Sequence, residues 1–252
     1  MGKVLVTDTY LTDIGNAIRS KNGTTDTYKP SEMAEAIENI EAGGGSGEIY
    51  TPTFISFYNC TNYSLVTQPI NTSLITNMAQ IFYNVKNAKK LDLTGWDTSN
   101  VTTMDSMFYN CAVLNDIIGL SKLDLSKVTT AKSMFELVST ITTIDLTGSD
   151  VLNLTDASSM FARVSKATSI DLSTWTTPKL TTTTSMFSRC YALANLDMRN
   201  ADFSKVTSYN YMFSNVPVDC LIIVKDDTQK EWITSKFTTL TNVKTVAELE
   251  AA

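Results

Sequence analysis

The chain has 252 residues, 43 % hydrophobic and 18 % charged, with a formal net charge of -6, enough to bury a sizeable core as one body with a small appendage. Its 26 acidic against 20 basic residues exclude a general polyanion binder, which needs clustered Lys and Arg. Histidine is absent, so every His-dependent catalytic dyad and His-based metal site is excluded too.

The first residues turn polar at Thr7-Asp8-Thr9 and hold no apolar signal core. No run approaches the ~20 apolar residues of a membrane span, so no membrane insertion is expected. Residues 8–21 place Leu11, Ile14, Ala17 and Ile18 on one helical face, and Asn22-Gly23 supplies a stop. A second helix is predicted from Ser31 to near Glu41, with Met33, Ala36, Ile37 and Ile40 as its apolar face. Neither helix is long enough to be stable alone. Residues 1–42 therefore read as a two-helix attachment module whose Leu11, Ile14, Ile18, Met33, Ile37 and Ile40 meet each other or a partner. Residues 43–50 form a glycine-rich linker around Gly43-Gly44-Gly45-Ser46-Gly47. It is no phosphate loop, because no Lys-Ser/Thr follows and no strand leads in.

Residues 51–219 are dominated by internal repetition. Phenylalanines stand at 82, 108, 135, 161, 187 and 213, separated by 26, 27, 26, 26 and 26 residues. Met precedes each except the first, where Ile81 stands. Seven residues before each is Ile75, Val101, Val128, Leu154, Leu180 or Val206. Short alternating triplets, Leu91-Asp92-Leu93, Ile144-Asp145-Leu146, Ile170-Asp171-Leu172 and Leu196-Asp197-Met198, read as half-buried strands. In the 27-residue unit the corresponding triplet is Ile118-Gly119-Leu120, with the extra residue just ahead of it. Met104, Met107 and Phe108 recur at helical spacing. One unit cannot bury these side chains alone; stacked coils can, pairing the triplets in a parallel sheet. The Phe and Met columns are thus core. Phe57-Tyr58-Asn59-Cys60 echoes Phe108-Tyr109-Asn110-Cys111 as an imperfect first coil.

Residues 220–252 read as a closing cap. Cys220-Leu221-Ile222-Ile223-Val224 is a longer apolar strand, followed by a helix from Thr228 to near Phe237 and a segment from Val243 to Leu249. Cys60, Cys111, Cys190 and Cys220 contain no CxxC pair and are expected as small buried hydrophobes, not zinc ligands.

The outward strand residues Asp92, Asp145, Asp171 and Asp197 would stack a coil apart and repel. Backbone donors of their own turns, Arg199 or another nearby base, water or a cation must offset this, and the first is expected. Elsewhere on the exterior, Thr and Ser with Tyr109, Tyr191, Tyr209 and Tyr211 suit a carbohydrate, though Thr is also an ordinary solvent-facing strand residue. No catalytic, cofactor or metal residues are assigned.

The unit LDLTGWDTSNVTTMDSMFYNC resembles the BspA-type leucine-rich repeats of bacterial surface and phage-encoded proteins. That resemblance implies an α/β solenoid, a right-handed leucine-rich repeat with short parallel strands, here preceded by the two-helix module. The segment LVTDTYLTDIGNAIRSKNGTTDTYKPSEMAEAIENI is similar to N-terminal segments of virion and tail proteins from phages of Gram-positive hosts. Together they imply a non-enzymatic phage virion protein. It is expected on the tail, with a head fibre or capsid decoration protein as the alternative. Other virion proteins would hold the helices, and a host cell-surface protein or polysaccharide would meet the repeats. A homotrimer is implied by resemblance alone, and neither nucleic acid nor cofactor is expected. A cellular surface adhesin is the rival reading.

Overall fold

The computed structural model describes Phe57 and residues 71–251. The two-helix module with Leu11, Ile14, Ile18, Met33, Ile37 and Ile40, the glycine linker and Cys60 lie outside the described residues.

A Leu-Asp-Leu triplet can bury only alternate side chains, and each coil contributes one such strand. These are β1 (Lys90–Asp92), β2 (Asp116–Ile118), β3 (Thr143–Asp145), β4 (Ser169–Asp171) and β5 (Asn195–Asp197). The cap adds β6 (Leu221–Val224) and β7 (Val243–Thr245). All pair in parallel: β1 with β2, and β3 through β7 in chain order as a five-stranded sheet. Register puts Leu91 opposite Ile117, and aligns Ile144, Ile170, Leu196, Ile222 and Val243 in one buried row. The chain is thus a parallel β-solenoid whose coils are about one repeat long.

The Phe rings form the spine of the core. Phe57, Phe82, Phe108, Phe135, Phe161, Phe187 and Phe213 stack in sequence, with centroids 5.1–5.6 Å apart and planes within 21°. The residues three after the Phe, Val85, Cys111, Val138, Val164, Cys190 and Val216, form a second buried column, so Cys and Val are interchangeable there.

The helical spacing around Met104, Met107 and Phe108 does not produce a helix. In all six coils the residues two before and two after the Phe have φ between 54° and 66°, as at Ser106 and Asn110. Two left-handed residues per turn break any helix and swing alternate peptides parallel to the stacking direction. The carbonyl of Met107 accepts from Phe82, while the N–H of Phe108, in the same peptide, donates to Met134. Four peptides per coil behave this way. Twenty bonds of 2.7–3.1 Å result, four across each of five interfaces, and every one runs from a coil's N–H to the next coil's carbonyl. Phe57 extends one lane backward, donating to Ile81 at 2.6 Å. Among the described residues the expected α/β solenoid is therefore a β-solenoid, with α-helix only in the cap, in α1 (Asp227–Lys236) and α2 (Val246–Glu250).

The 27-residue unit also differs from expectation. Ile117, not Ile118, sits opposite Leu91, so the extra residue follows the strand instead of preceding it. Gly119 (φ 80°) turns the chain into a 3-10 turn, Leu120–Lys122, which returns Leu120 to the core. A Cβ on Gly148 of the following coil would lie 1.8 Å from the Ser121 carbonyl oxygen, so this turn is seated on bare glycine.

The cap is held by side chains suited to it. The Asp226 carboxylate accepts from Gln229 N–H at 3.1 Å to start α1, and Thr245 with Glu248 forms a capping box for α2. Lys230 Nζ reaches Glu248 Oε1 at 2.6 Å, and Trp232 stacks on Phe203 at 5.1 Å.

Phe161→Ala removes a ring stacked on both sides and is expected to cost ~3–5 kcal/mol in urea unfolding; a change within experimental error would remove the ring spine as a source of stability. Arg189 is exposed at φ 64° in a column that holds Asn84, Asn110 and Asn215. Because Asn tolerates this conformation, Arg189→Asn is expected to raise stability by ~0.5–1 kcal/mol in the same assay.

Candidate functional site

Asp145, Asp171 and Asp197 are consecutive in register, whereas Asp92 lies in the other sheet opposite Ile118. Each carboxylate accepts the N–H two residues on: Thr94 to Asp92 and Thr147 to Asp145 at 2.9 Å, Ser173 to Asp171 at 2.9 Å, and Arg199 to Asp197 at 3.1 Å. Thr147 Oγ1 adds a 2.7 Å bond to Asp145. Asp197 is only 8 % exposed, and Arg199 Nε lies 3.0 Å from each of its oxygens. The hydroxyl and then the N–H of Thr94 hold Asp92 below the usual carboxylate range, and Thr147 acts likewise on Asp145. These contacts are donors from each turn itself, so the stack persists without an external charge.

A second set of acids does the same at the next corner: Asp97, Asp124, Asp150 and Asp202 accept N–H groups from Ser99, Ser126, Leu152 and Ser204 at 2.8–3.0 Å. Of the other two coils, one has Asn71, whose Oδ1 accepts Ser73 N–H at 3.0 Å, and the other has Thr176, two residues before Pro178, which has no N–H to offer.

The tyrosines lie elsewhere. Tyr109 stacks on Tyr83 at 4.7 Å and 10°, beside an Asn110 Nδ2 to Asn84 Oδ1 bond of 2.7 Å. Burial, then the nearby Glu136 carboxylate, pushes the Tyr109 phenol above its ordinary value. Tyr191, 57 % exposed, follows Cys190 and belongs to a different column. Among the described residues no hydrogen bond, ion pair or ring contact joins either tyrosine to the four aspartates. The outward-face residues therefore do not converge into one pocket.

One row that the sequence reading passed over is more regular than either. Thr76, Thr102, Thr129, Thr155, Thr181 and Thr207 each follow the β-branched or Leu landmark of their coil. From Thr102 onward every hydroxyl donates to the threonine carbonyl one coil back, at 3.1, 3.1, 2.9, 3.0 and 3.5 Å. Five are exposed and Thr155 is half-buried. With the hydroxyl hydrogen spent, the row presents acceptor lone pairs and methyls at coil spacing. Its signal, Thr at one fixed offset six times in six, was available in the sequence.

Between β2 and β3 the strand ladder is not made. Thr140 Oγ1 bridges the two coils by donating to the Leu114 carbonyl at 2.7 Å. A shallow cleft of about 240 Å³ opens there, floored by Ile117, Leu120 and Ile141 and edged by Asp116 and Asp145. Lys90 pairs with Asp116 at 2.9 Å at its border.

Cys111, Cys190 and Cys220 are buried free thiols, each pushed up to about 12 by burial. Cys111 and Cys190 donate to the carbonyls of Phe82 and Phe161 at 3.0 and 3.1 Å. Among the described residues no cluster of three or more Cys, Asp or Glu is placed to hold a metal, and no helix is long and apolar enough to cross a membrane.

Residues 54–169 and 119–220 match the family described as Mycoplasma protein of unknown function, DUF285. The chain belongs to this family. The two matches overlap over 119–169, as expected when a pattern of several units fits an array in more than one register. DUF285 membership and coils of about 26 residues fit a BspA-type repeat protein. No curated protein and no solved structure matches the chain.

Asp92, Asp97 and Asp145 have depressed folded-state pKa values. Their stabilisation is complete above the unfolded carboxyl value of ~3.9 and is lost as pH falls through the lower folded values. The urea midpoint is expected to drop as pH falls below about 4. Asp145→Asn keeps an acceptor oxygen but not the ionisation, and should make that drop shallower.

Proposed function

We propose that this chain is a non-enzymatic surface-display protein, with the solenoid presented outward and the first 42 residues holding it to a phage particle. The tail is the first placement, and a head fibre or capsid decoration role the next. The N-terminal resemblance supports the phage attachment, and a trimer belongs to the same reading. The coils are taken as right-handed leucine-rich repeats on the strength of LDLTGWDTSNVTTMDSMFYNC.

The observation that carries the binding role is the row from Thr76 to Thr207. Asp92, Asp145 and Asp171 accept N–H groups of their own turns, and the thiols of Cys111 and Cys190 donate to carbonyls one coil back. The threonine row instead offers fixed acceptors and methyls at a spacing similar to the rise of an extended β-linked glycan. The stacked Tyr83–Tyr109 pair with its amides adds an aromatic platform for a sugar ring. Weak contacts of this kind gain from many copies on one particle.

A cell-surface adhesin is favoured by a separate observation, the cellular source in the family's description. Immunogold labelling against the repeats separates the two. Label on the tail is expected; label on the head selects the decoration role, and label on producer cells with none on particles overturns the virion reading. The binding face is tested on isolated host cell walls with the full chain. Thr155→Arg interrupts the row at its middle, and is expected to lower retention severalfold without changing the unfolding free energy by more than ~1 kcal/mol. Equal retention would exclude the threonine row.

A further inference from the structure

The directional ladder beside the Phe spine must end somewhere, and its last coil is unfinished. In the five preceding coils the N–H groups four before, two before, at and two after the Phe all find the next coil's carbonyls. Their equivalents in the last coil are Tyr209, Tyr211, Phe213 and Asn215, whose N–H groups have no acceptor among the described residues. The cap completes its neighbours: Gln229 Oε1 accepts Phe203 N–H at 3.1 Å, and β7 pairs with β6. Over three of these donors, Tyr209, Tyr211 and Phe213, it leaves an open cleft of about 330 Å³, bounded also by Lys236, Phe237 and Thr238.

The electrostatics of this end follow from the geometry. Each peptide carries a dipole of ~3.5 D, and the aligned stack sums to a positive end where N–H groups are exposed, as at a helix N-terminus. The free donors alternate with N–H groups spent inside the coil, Met212 to Tyr209 and Ser214 to Tyr211, and the left-handed Tyr211 (φ 61°) sits among them. Lys236 adds a full charge at the same cleft. Its Nζ lies 4.8 Å from the Trp232 ring centroid and 5.7 Å from that of Tyr209, and it belongs to no ion pair among the described residues. Tyr211, 71 % exposed, stands at the rim with its ring available to an apolar or sugar body.

We propose that the C-terminal end of the ladder is an oxyanion-binding site. It takes the phosphoryl or carboxylate group of a small ligand or glycan, with the backbone N–H groups of Tyr209, Tyr211 and Phe213 as donors and Lys236 as counter-charge. The site does not depend on the threonine row or on where the protein is displayed.

The test is a ¹H–¹⁵N titration of the intact chain with inorganic phosphate and, separately, with acetate, against sodium chloride of equal ionic strength. Saturable shifts are expected at the amides of Tyr209, Tyr211 and Phe213, with the inner-lane amide of Phe161 unmoved. Saturation by phosphate alone assigns a phosphoryl group, by acetate alone a carboxylate, and by both a general oxyanion site. Lys236 is exposed, so Lys236→Glu should fold with unchanged inner-lane shifts, and it is expected to weaken binding at least tenfold, ~1.4 kcal/mol. No saturable shift with either anion, or a Lys236→Glu titration matching that of the unaltered chain, would overturn the proposal.

Discussion

The structure rests on a column of peptide groups that all point the same way. In an ordinary parallel sheet, N–H and carbonyl groups alternate between the two neighbouring strands. Beside the Phe spine the alternation is abolished, because residues two before and two after each Phe are left-handed. Four peptides per coil then accept from the coil behind and donate to the coil ahead. Hydrogen bonds linked head to tail in this way polarise one another, and left-handed geometry at Ser, Arg, Leu and Tyr is costly unless such a gain offsets it. The ring stack belongs to the same solution: coils locked at one spacing by the ladder place successive Phe rings 5.1–5.6 Å apart.

Continuity on this flank explains the tolerance on the other. The strand side divides into two and five strands at the 27-residue unit, yet the ladder from Asn110 to Glu136 and from Leu137 to Ala162 is unbroken. Single-residue parallel bridges from Asn77 through Thr103, Thr130, Asp156 and Thr182 to Ser208 also cross the interruption. The additional residue is absorbed locally, by the left-handed Gly119 and by the absence of a side chain on Gly148. An insertion in the Phe turn would have no such outlet, since it would displace four donors at once.

Periodicity made the repeat, the buried columns and the cap legible, because each depends on side-chain hydrophobicity recurring at a fixed interval. What it could not reveal was backbone sign. Met104, Met107 and Phe108 satisfy a helical period and a pair of left-handed turns equally well, and Ser or Arg at the left-handed positions gives no warning that Gly would. Asn84, Asn110 and Asn215 were the only chemical hint there. Register in the 27-residue unit failed for a related reason: Ile117 and Ile118 are equivalent by composition, and only the turn at Gly119 decides which one enters the core. Complementary packing was equally hidden. Trp175 fits because its column neighbours one coil away are Ser149 and Ala201, and its Nε1 reaches the Leu146 carbonyl at 3.3 Å. The outward aspartates were legible as a row but not as a site, since each is tied to a donor two residues away.

A directional column also gives the solenoid two chemically different ends, which a helix bundle or an antiparallel sandwich lacks. Carbonyls face the first coil, and N–H groups face the cap. An added coil at the C-terminal end would find four donors waiting, so an array of this kind invites further coils or another chain unless that end is covered. The cap covers the apolar part fully: Phe237 meets Phe213 edge-on at 4.9 Å, and Trp232 closes over Phe203. It answers the polar part where Gln229 reaches Phe203 N–H and where β7 pairs with β6, but not beside the Phe spine. Lys236 at the remaining donors makes docking of a second chain's carbonyls no easier to reverse, but it does favour a charged group over a neutral one. The end is therefore closed to another coil by its aromatic cover while staying open to an anion, a distinction that hydrophobic burial alone would not produce.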